Sequence, residues 1–449
     1  CKGFIHSQET SYMESLLVKN GTVIFNGVSA NADVLIENGT ISRIGCCLKG
    51  NGIKELHADG LYVLPGLIDE HVHLREPGLT HKEDFNSGTS AAAAGGLTAV
   101  LDMPNTLPPL DSVERLIEKK EIARGKSHVD YGLYGLISDT SKVTEITRMV
   151  KSGCIGFKAY MGPTTGNIPA PSHRMLYTTL KVLSELDAPL VVHAEDDELV
   201  KFFTGKSNNS IAHLNSRPYV CETFSVGELV SLSEYTGARV HVAHISSGKT
   251  VKVMEWARAN GIRLSGEVTP HHMFLDSKIY SRAGNFAKIN PPIRGYEDGV
   301  ALLIAAKNGI MSTVASDHSP HTVEEKLGDP SPSGFPGLET ELPLMLDAIN
   351  VGKLSLADVA RLMSENVAKL FGIYPRYGSL FPNSRGNLTI VSLNLRTKVN
   401  AEKFYSKAKY SPFDGMELAG RVMYTVVSGD IVYDGEVHDD IRGNFIARE

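Results

Sequence analysis

The middle of the chain alternates between short apolar runs and amphipathic stretches, and this alternation constrains the fold more than any other feature. Apolar strand candidates fall at 67–73, 97–103, 129–137, 155–161, 189–194, 238–245, 262–268 and 311–317. Helical patterns lie between them, clearest at 111–124, 172–187, 222–236, 248–259, 296–308 and 356–371. Strands that alternate with helices build parallel sheets through βαβ units. Eight such units over roughly 250 residues match an α/β fold of the closed (β/α)8 type, the TIM barrel. An open doubly wound sheet is the alternative. The Gly- and Pro-rich stretch 328–337 is long for a βα loop and reads as a functional loop.

Both ends of the chain read differently. Leu16-Leu17-Val18 is followed by Asn20-Gly21, Val23-Ile24-Phe25 by Asn26-Gly27, and Val34-Leu35-Ile36 by Asn38-Gly39. Asn-Gly between short apolar runs is a hairpin signal, so all three are expected to be turns. The tail repeats the pattern, with apolar runs at 388–391 and 422–427 and a further one at 431–433 before Asp434-Gly435. Because chain ends often lie close together, 13–65 and 375–449 are expected to form one composite β domain beside a barrel at 66–374.

Composition removes several function classes. Lys+Arg number 45 against 51 Asp+Glu, a net charge of −6, so neither nucleic acid nor an anionic membrane is an expected partner. The uncharged stretch 85–101 is mostly Ala, Gly, Ser and Thr, too weakly apolar to span a bilayer. Five cysteines make no disulfide framework, and adjacent Cys46 and Cys47 have neither zinc nor redox spacing. Residues 1–12 lack a charged segment followed by an apolar one. No secretory signal is therefore expected, Met13 is read as the natural start, and a cytoplasmic location follows.

The chemistry gathers at strand ends, where a barrel carries its catalytic residues. The first strand candidate runs into His71-Val72-His73-Leu74-Arg75. Residues two apart share a face of a strand, so His71 and His73 form either a metal clip or a hydrogen-bonded core pair. The fifth strand candidate reaches His193, the sixth ends near His244 and the eighth at Asp317. Imidazole and carboxylate without clustered thiolate suit Zn²⁺. Lys158 stands inside the apolar fourth run, where an ammonium must pair, lose its proton, be modified, or extend its head to solvent. Carbamylated by CO₂, it becomes the shared anion that four histidines and one aspartate need to hold two divalent ions. His241, an odd number of residues from His244, is expected to face the helices. Adjacent His271 and His272 read as structural, and Thr164-Thr165-Gly166 as either an idle surface turn or a lid over the site.

Six motifs taken together resemble a known family. They are His71-Val-His73-Leu-Arg75-Glu-Pro-Gly, Met103-Pro104-Asn105-Thr106, Gly156-Phe-Lys158, His193-Ala-Glu195, Ala315-Ser-Asp317-His318-Ser-Pro-His321 and Gly334-Phe-Pro-Gly-Leu-Glu339. From about Val63 to Gly372 the chain is similar to class I dihydroorotases, in the cyclic amidohydrolase branch of the amidohydrolase superfamily. The resemblance implies a (β/α)8 barrel with a smaller flanking β domain built from both termini. It implies two Zn²⁺ per subunit, held by His71, His73, His193, His244 and Asp317 and bridged by carbamylated Lys158. Substrate contacts fall on Arg75, Asn105, His321, Asn290 and the backbone of Pro336 and Gly337.

The implied activity is the reversible cyclisation of N-carbamoyl-L-aspartate to L-dihydroorotate in de novo pyrimidine (UMP) biosynthesis. Asp317 would carry the proton between water and the ring nitrogen, and Arg75 would offer a planar fork to the substrate carboxylate. The alternatives are a related ring opener, allantoinase or dihydropyrimidinase, and a metal-free homologue that acts as a scaffold. A homo-oligomer and association with aspartate transcarbamoylase complete the expectations.

Overall fold

The computed structural model describes residues 15–50, 52–164, 168–205 and 210–448. The readings placed on residues 1–12, Met13 and Thr165-Gly166 lie outside the described residues.

All eight apolar runs form strands: Leu67–Val72, Leu97–Asp102, Asp130–Ile137, Gly156–Tyr160, Leu190–His193, Val240–Val242, Leu264–Val268 and Thr313–Val314. Each pairs in parallel with the next in sequence order. A parallel bridge between Val72 and His318 links the last strand to the first, and His73 donates its N–H to the His318 carbonyl at 2.8 Å. This closure sets the open-sheet alternative aside. Every residue of Asp130–Ile137 is buried, which is why such strands read as continuous apolar runs.

Helices on the outside follow the expected pattern where one face is polar, as in Val113–Ala123, His173–Glu185 and Gly248–Ala259. Ser112, Ser172 and Ser247 cap these three with side-chain hydrogen bonds to backbone N–H groups. The run expected at 356–371 is divided by a π-helical turn, Arg361–Glu365. Helices Phe85–Ala94 and Leu338–Asn350 are not among the clear helical patterns of the sequence. Both are buried over most of their surface, so neither shows a polar face to mark its period. A Cβ at Gly95 would stand 2.1 Å from the Leu338 carbonyl oxygen, so glycine is what lets these helices meet.

The barrel interior is layered. Ile68, Leu101, Tyr134, Ile155 and Val191 pack with Val367, Phe371 and Ile446. Next comes a buried polar layer in which His241 Nε2 lies 3.0 Å from Glu70 Oε1, with Thr313 bonded to the same carboxylate. His241 therefore faces the barrel interior and not the helices. The strand ends at Val242 and His244 takes a φ of 38°, so strand alternation does not carry from one histidine to the other.

The two chain ends share one sheet, in the order Asp430–Tyr433, Glu417–Val427, Leu388–Lys398, Tyr62–Pro65, Leu16–Phe25, Val28–Glu37 and Thr40–Gly45. Tyr62–Pro65 is the joint, antiparallel to Leu388–Lys398 and parallel to Leu16–Phe25. It leads through Gly66 directly into the first barrel strand, which fixes the sheet to the barrel.

Asn26-Gly27 and Asn38-Gly39 are two-residue turns with φ of 47° and 74°, and 52° and 73°, the type I′ pattern. Asn20-Gly21 is different. It lies within Leu16–Phe25 as a bulge, where the register slips between Val18 and Gly21. The final segment leaves the sheet and runs beside the third barrel strand, where Ile446 donates to the Tyr131 carbonyl at 2.7 Å. Among the described residues no helix is long and apolar enough to cross a membrane.

Candidate active site

Six side chains from five barrel strands and the turns that follow them come together near the barrel mouth. His71 Nε2 and His73 Nε2 lie 3.5 Å and 3.3 Å from the same Asp317 oxygen. Lys158 Nζ lies 3.3 Å from His71 Nε2, beneath the pocket floor. His193 Nδ1 lies 3.1 Å from His244 Nε2, and the His71 and His244 rings are 5.2 Å apart. All six are buried. Arg75, His244 and Asp317 hold positive φ values of 63°, 38° and 48°, a backbone conformation that L side chains rarely adopt.

The outer nitrogens of two imidazoles are hydrogen-bonded and that of a third faces a carboxylate. His71 Nδ1 donates to Glu267 Oε1 at 2.9 Å and His73 Nδ1 to Asn105 Oδ1 at 2.7 Å. His193 Nε2 faces Glu195 Oε2 at 3.1 Å, and Glu195 is ion-paired with Arg217. Burial holds His71, His73 and His244 well below the usual histidine pKa and lowers that of His193. Neutral imidazoles with an outer proton fixed leave their inner lone pairs pointing at one another. This donor set fits divalent cations, with hydrogen-bonded partners of the kind that orient metal-bound histidines. Burial pulls the Lys158 ammonium down to about 8 and pushes the Asp317 carboxyl up.

The expected substrate residues divide. Arg75, Asn105 and Asn290 line the pocket. The Arg75 guanidinium is 1% exposed, donates from Nε to the Pro320 carbonyl at 3.2 Å, and leaves a buried terminal nitrogen without a partner. Asn290 Oδ1 and the Tyr160 hydroxyl are likewise buried and unpartnered. Buried polar groups are normally hydrogen-bonded, so three orphans around one recess point to a polar ligand. His321 lines the adjoining outer recess instead, where its Nε2 donates to the Ser333 carbonyl at 3.1 Å and lies 3.4 Å from Arg75.

Pro336 and Gly337 do not line the recess. The Gly337 N–H donates to His318 Nδ1 at 3.1 Å, and its carbonyl accepts from Thr340 and Glu341 as Leu338–Asn350 begins. His271 and His272 are not on opposite faces of a strand. They share the short helix Pro270–Phe274, with ring centroids 4.4 Å apart.

Sequence reasoning passed over Tyr160, Glu267 and Arg217. Glu267 lies in the strand Leu264-Ser-Gly-Glu-Val268, whose serine and glycine give it less apolar contrast than surrounds Lys158. Of the expected lid, Thr164 is described and lines the pocket.

A closed parallel barrel that gathers imidazoles, a carboxylate and a lysine at its strand ends defines a barrel hydrolase with a candidate metal centre. The Amidohydrolase family matches residues 62–432, and the chain belongs to that family. It is 33% identical over 428 residues to a dihydroorotase of Staphylococcus epidermidis, covering 94% of this chain and 99% of that one. It is 36% identical over 433 residues to a dihydroorotase of Lactococcus lactis subsp. lactis, covering 94% and 100%. Among solved structures, L-hydantoinase (dihydropyrimidinase) from Arthrobacter aurescens superposes with a TM-score of 0.93 at 32% identity, covering 97% of this chain and 100% of that one.

Proposed function

We propose that the chain is a zinc-dependent dihydroorotase of the cytoplasm, interconverting N-carbamoyl-L-aspartate and L-dihydroorotate in pyrimidine biosynthesis. The observation that carries this reading is the Arg75 guanidinium, buried in the wall of the recess with a terminal nitrogen unpaired. A buried guanidinium nitrogen without a partner is costly, and a substrate carboxylate relieves that cost with a charge-assisted hydrogen bond.

Two zinc ions held by His71, His73, carbamylated Lys158, His193, His244 and Asp317 would supply Lewis-acid polarisation of the ring amide and a water of lowered pKa. The rest of the chemistry belongs to the chain. Lys158 loses its proton readily in this buried setting, and only the neutral amine adds CO₂ to form a carbamate. Asp317, facing both histidines of the first strand, accepts a proton from the attacking water and delivers it to the departing ring nitrogen. In the reverse direction the same carboxylate takes the proton of the ureido nitrogen as the ring closes. Arg75 fixes the carboxylate, while Asn105 both lines the recess and orients His73.

A second reading, ring opening of a carboxylate-free cyclic amide, draws support from the likeness to L-hydantoinase. Such a ring leaves Arg75 unsatisfied, which favours dihydroorotate. Turnover of dihydroorotate, hydantoin, allantoin and dihydrouracil measured side by side tests the choice. Negligible activity on the first with clear activity on another overturns the preferred reading.

A further inference from the structure

The seventh barrel strand, Leu264–Val268, supplies none of the six candidate ligands, yet it buries a carboxylate among them. Oε1 of Glu267 accepts from His71 Nδ1 and from the backbone N–H of His244, each at 2.9 Å. One oxygen thus joins the first strand to the end of the sixth.

Both bonds bear on how donors face the mouth. A carboxylate at Nδ1 keeps the proton there, so Nε2 of His71 presents its lone pair toward Asp317 and Lys158. His244 holds a φ of 38°, a left-handed conformation that a histidine keeps only where its surroundings impose it. The bond to its N–H is one such restraint, and Nε2 of the same residue reaches His193 Nδ1. The second Glu267 oxygen lies 4.0 Å from His241 Nε2, and His241 is itself held by Glu70 at 3.0 Å and Ser265 at 2.7 Å. That lower network backs the carboxylate from beneath.

We propose that Glu267 is a positioning residue for the metal centre. It fixes the tautomer of His71 and the backbone of His244 together, so that the two halves of the donor set close in one geometry. The inference rests on the metal-centre reading above and assigns the residue that aligns it.

The test uses the full chain beside Glu267→Gln and Glu267→Leu. Zinc affinity is measured by chelator competition and the visible spectrum is recorded for each cobalt-loaded protein, well below each melting transition. Glu267→Leu weakens zinc binding by roughly 10–100-fold and shifts the cobalt bands. Glu267→Gln, which keeps an acceptor oxygen without the charge, falls between Leu and wild type. Wild-type affinity together with unaltered cobalt bands in folded Glu267→Gln overturns the proposal, whatever that variant's melting temperature. If Glu267→Leu does not fold, the Gln variant decides alone. A wild-type chain that takes up neither zinc nor cobalt overturns the metal-centre reading itself, and this proposal with it.

Discussion

Lys158 Nζ stands 3.3 Å from Nε2 of His71, the only titratable cation so close to the imidazoles of the first strand among the hydrogen-bonded pairs described. An ammonium there repels a divalent ion, whereas a carbamate binds one. Lys158→Ala is therefore expected to retain at most half of the wild-type zinc and to lose most turnover. A short-chain carboxylate added to the variant is expected to restore part of both, by standing in for the missing anion. Zinc by atomic absorption and turnover with and without the carboxylate check this. Full zinc in Lys158→Ala removes the bridge.

Asp317 touches both histidines of the first strand and has its carboxyl pushed up by burial, which suits a group that alternately holds and releases a proton. In Asp317→Asn the amide oxygen can still ligate but cannot accept the proton. The expected result is a fall in kcat of about 10³-fold with zinc largely retained. Steady-state kinetics beside metal analysis decide it, and wild-type kcat in the variant ends the assigned role.

The barrel and its gathered side chains were legible for one physical reason. Strands buried on both faces must be apolar, so a histidine or aspartate at their ends, or a lysine within one, stands out. Elements without that contrast stayed hidden. Phe85–Ala94 and Leu338–Asn350 are buried nearly all round, and the carbonyl of Gly337 starts the second of them. Asn20-Gly21 shares its residue types with a type I′ turn, and only pairing with Val28–Glu37 makes it a bulge. His321 lies four residues beyond Asp317, but the direction of the loop after a strand is set by tertiary contacts that spacing does not encode. His241 was misread because alternation was carried past the last residue of a three-residue strand.

His321 shows how such burial couples to acidity. Burial, with Arg75 and Lys82 adding repulsion, lowers its pKa to about 3. An unfolded histidine binds its proton near 6.5. The folded state refuses that proton, so the effect costs nothing above about 6.5 and grows as pH falls from there toward 3. Between pH 7.5 and 5 the wild type should lose about 2 kcal/mol more stability than His321→Gln. Urea unfolding across that range measures the difference, and parallel curves for the two proteins contradict the assignment.

Arg75 is the sharpest test of substrate choice. Its Nε is anchored on the Pro320 carbonyl, and its unpaired terminal nitrogen faces the same recess as the Tyr160 hydroxyl. Lysine in its place keeps the charge but loses both the anchor and the planar fork, so a carboxylate is held at one point instead of two. Arg75→Lys should raise KM for dihydroorotate by about 10-fold or more, the scale of one charge-assisted hydrogen bond. Zinc content should stay at the wild-type level, because Arg75 holds none of the six candidate ligands by a described hydrogen bond. Kinetics on dihydroorotate together with metal analysis read both quantities. An unchanged KM would mean that the carboxylate docks elsewhere and that the buried guanidinium serves the fold alone.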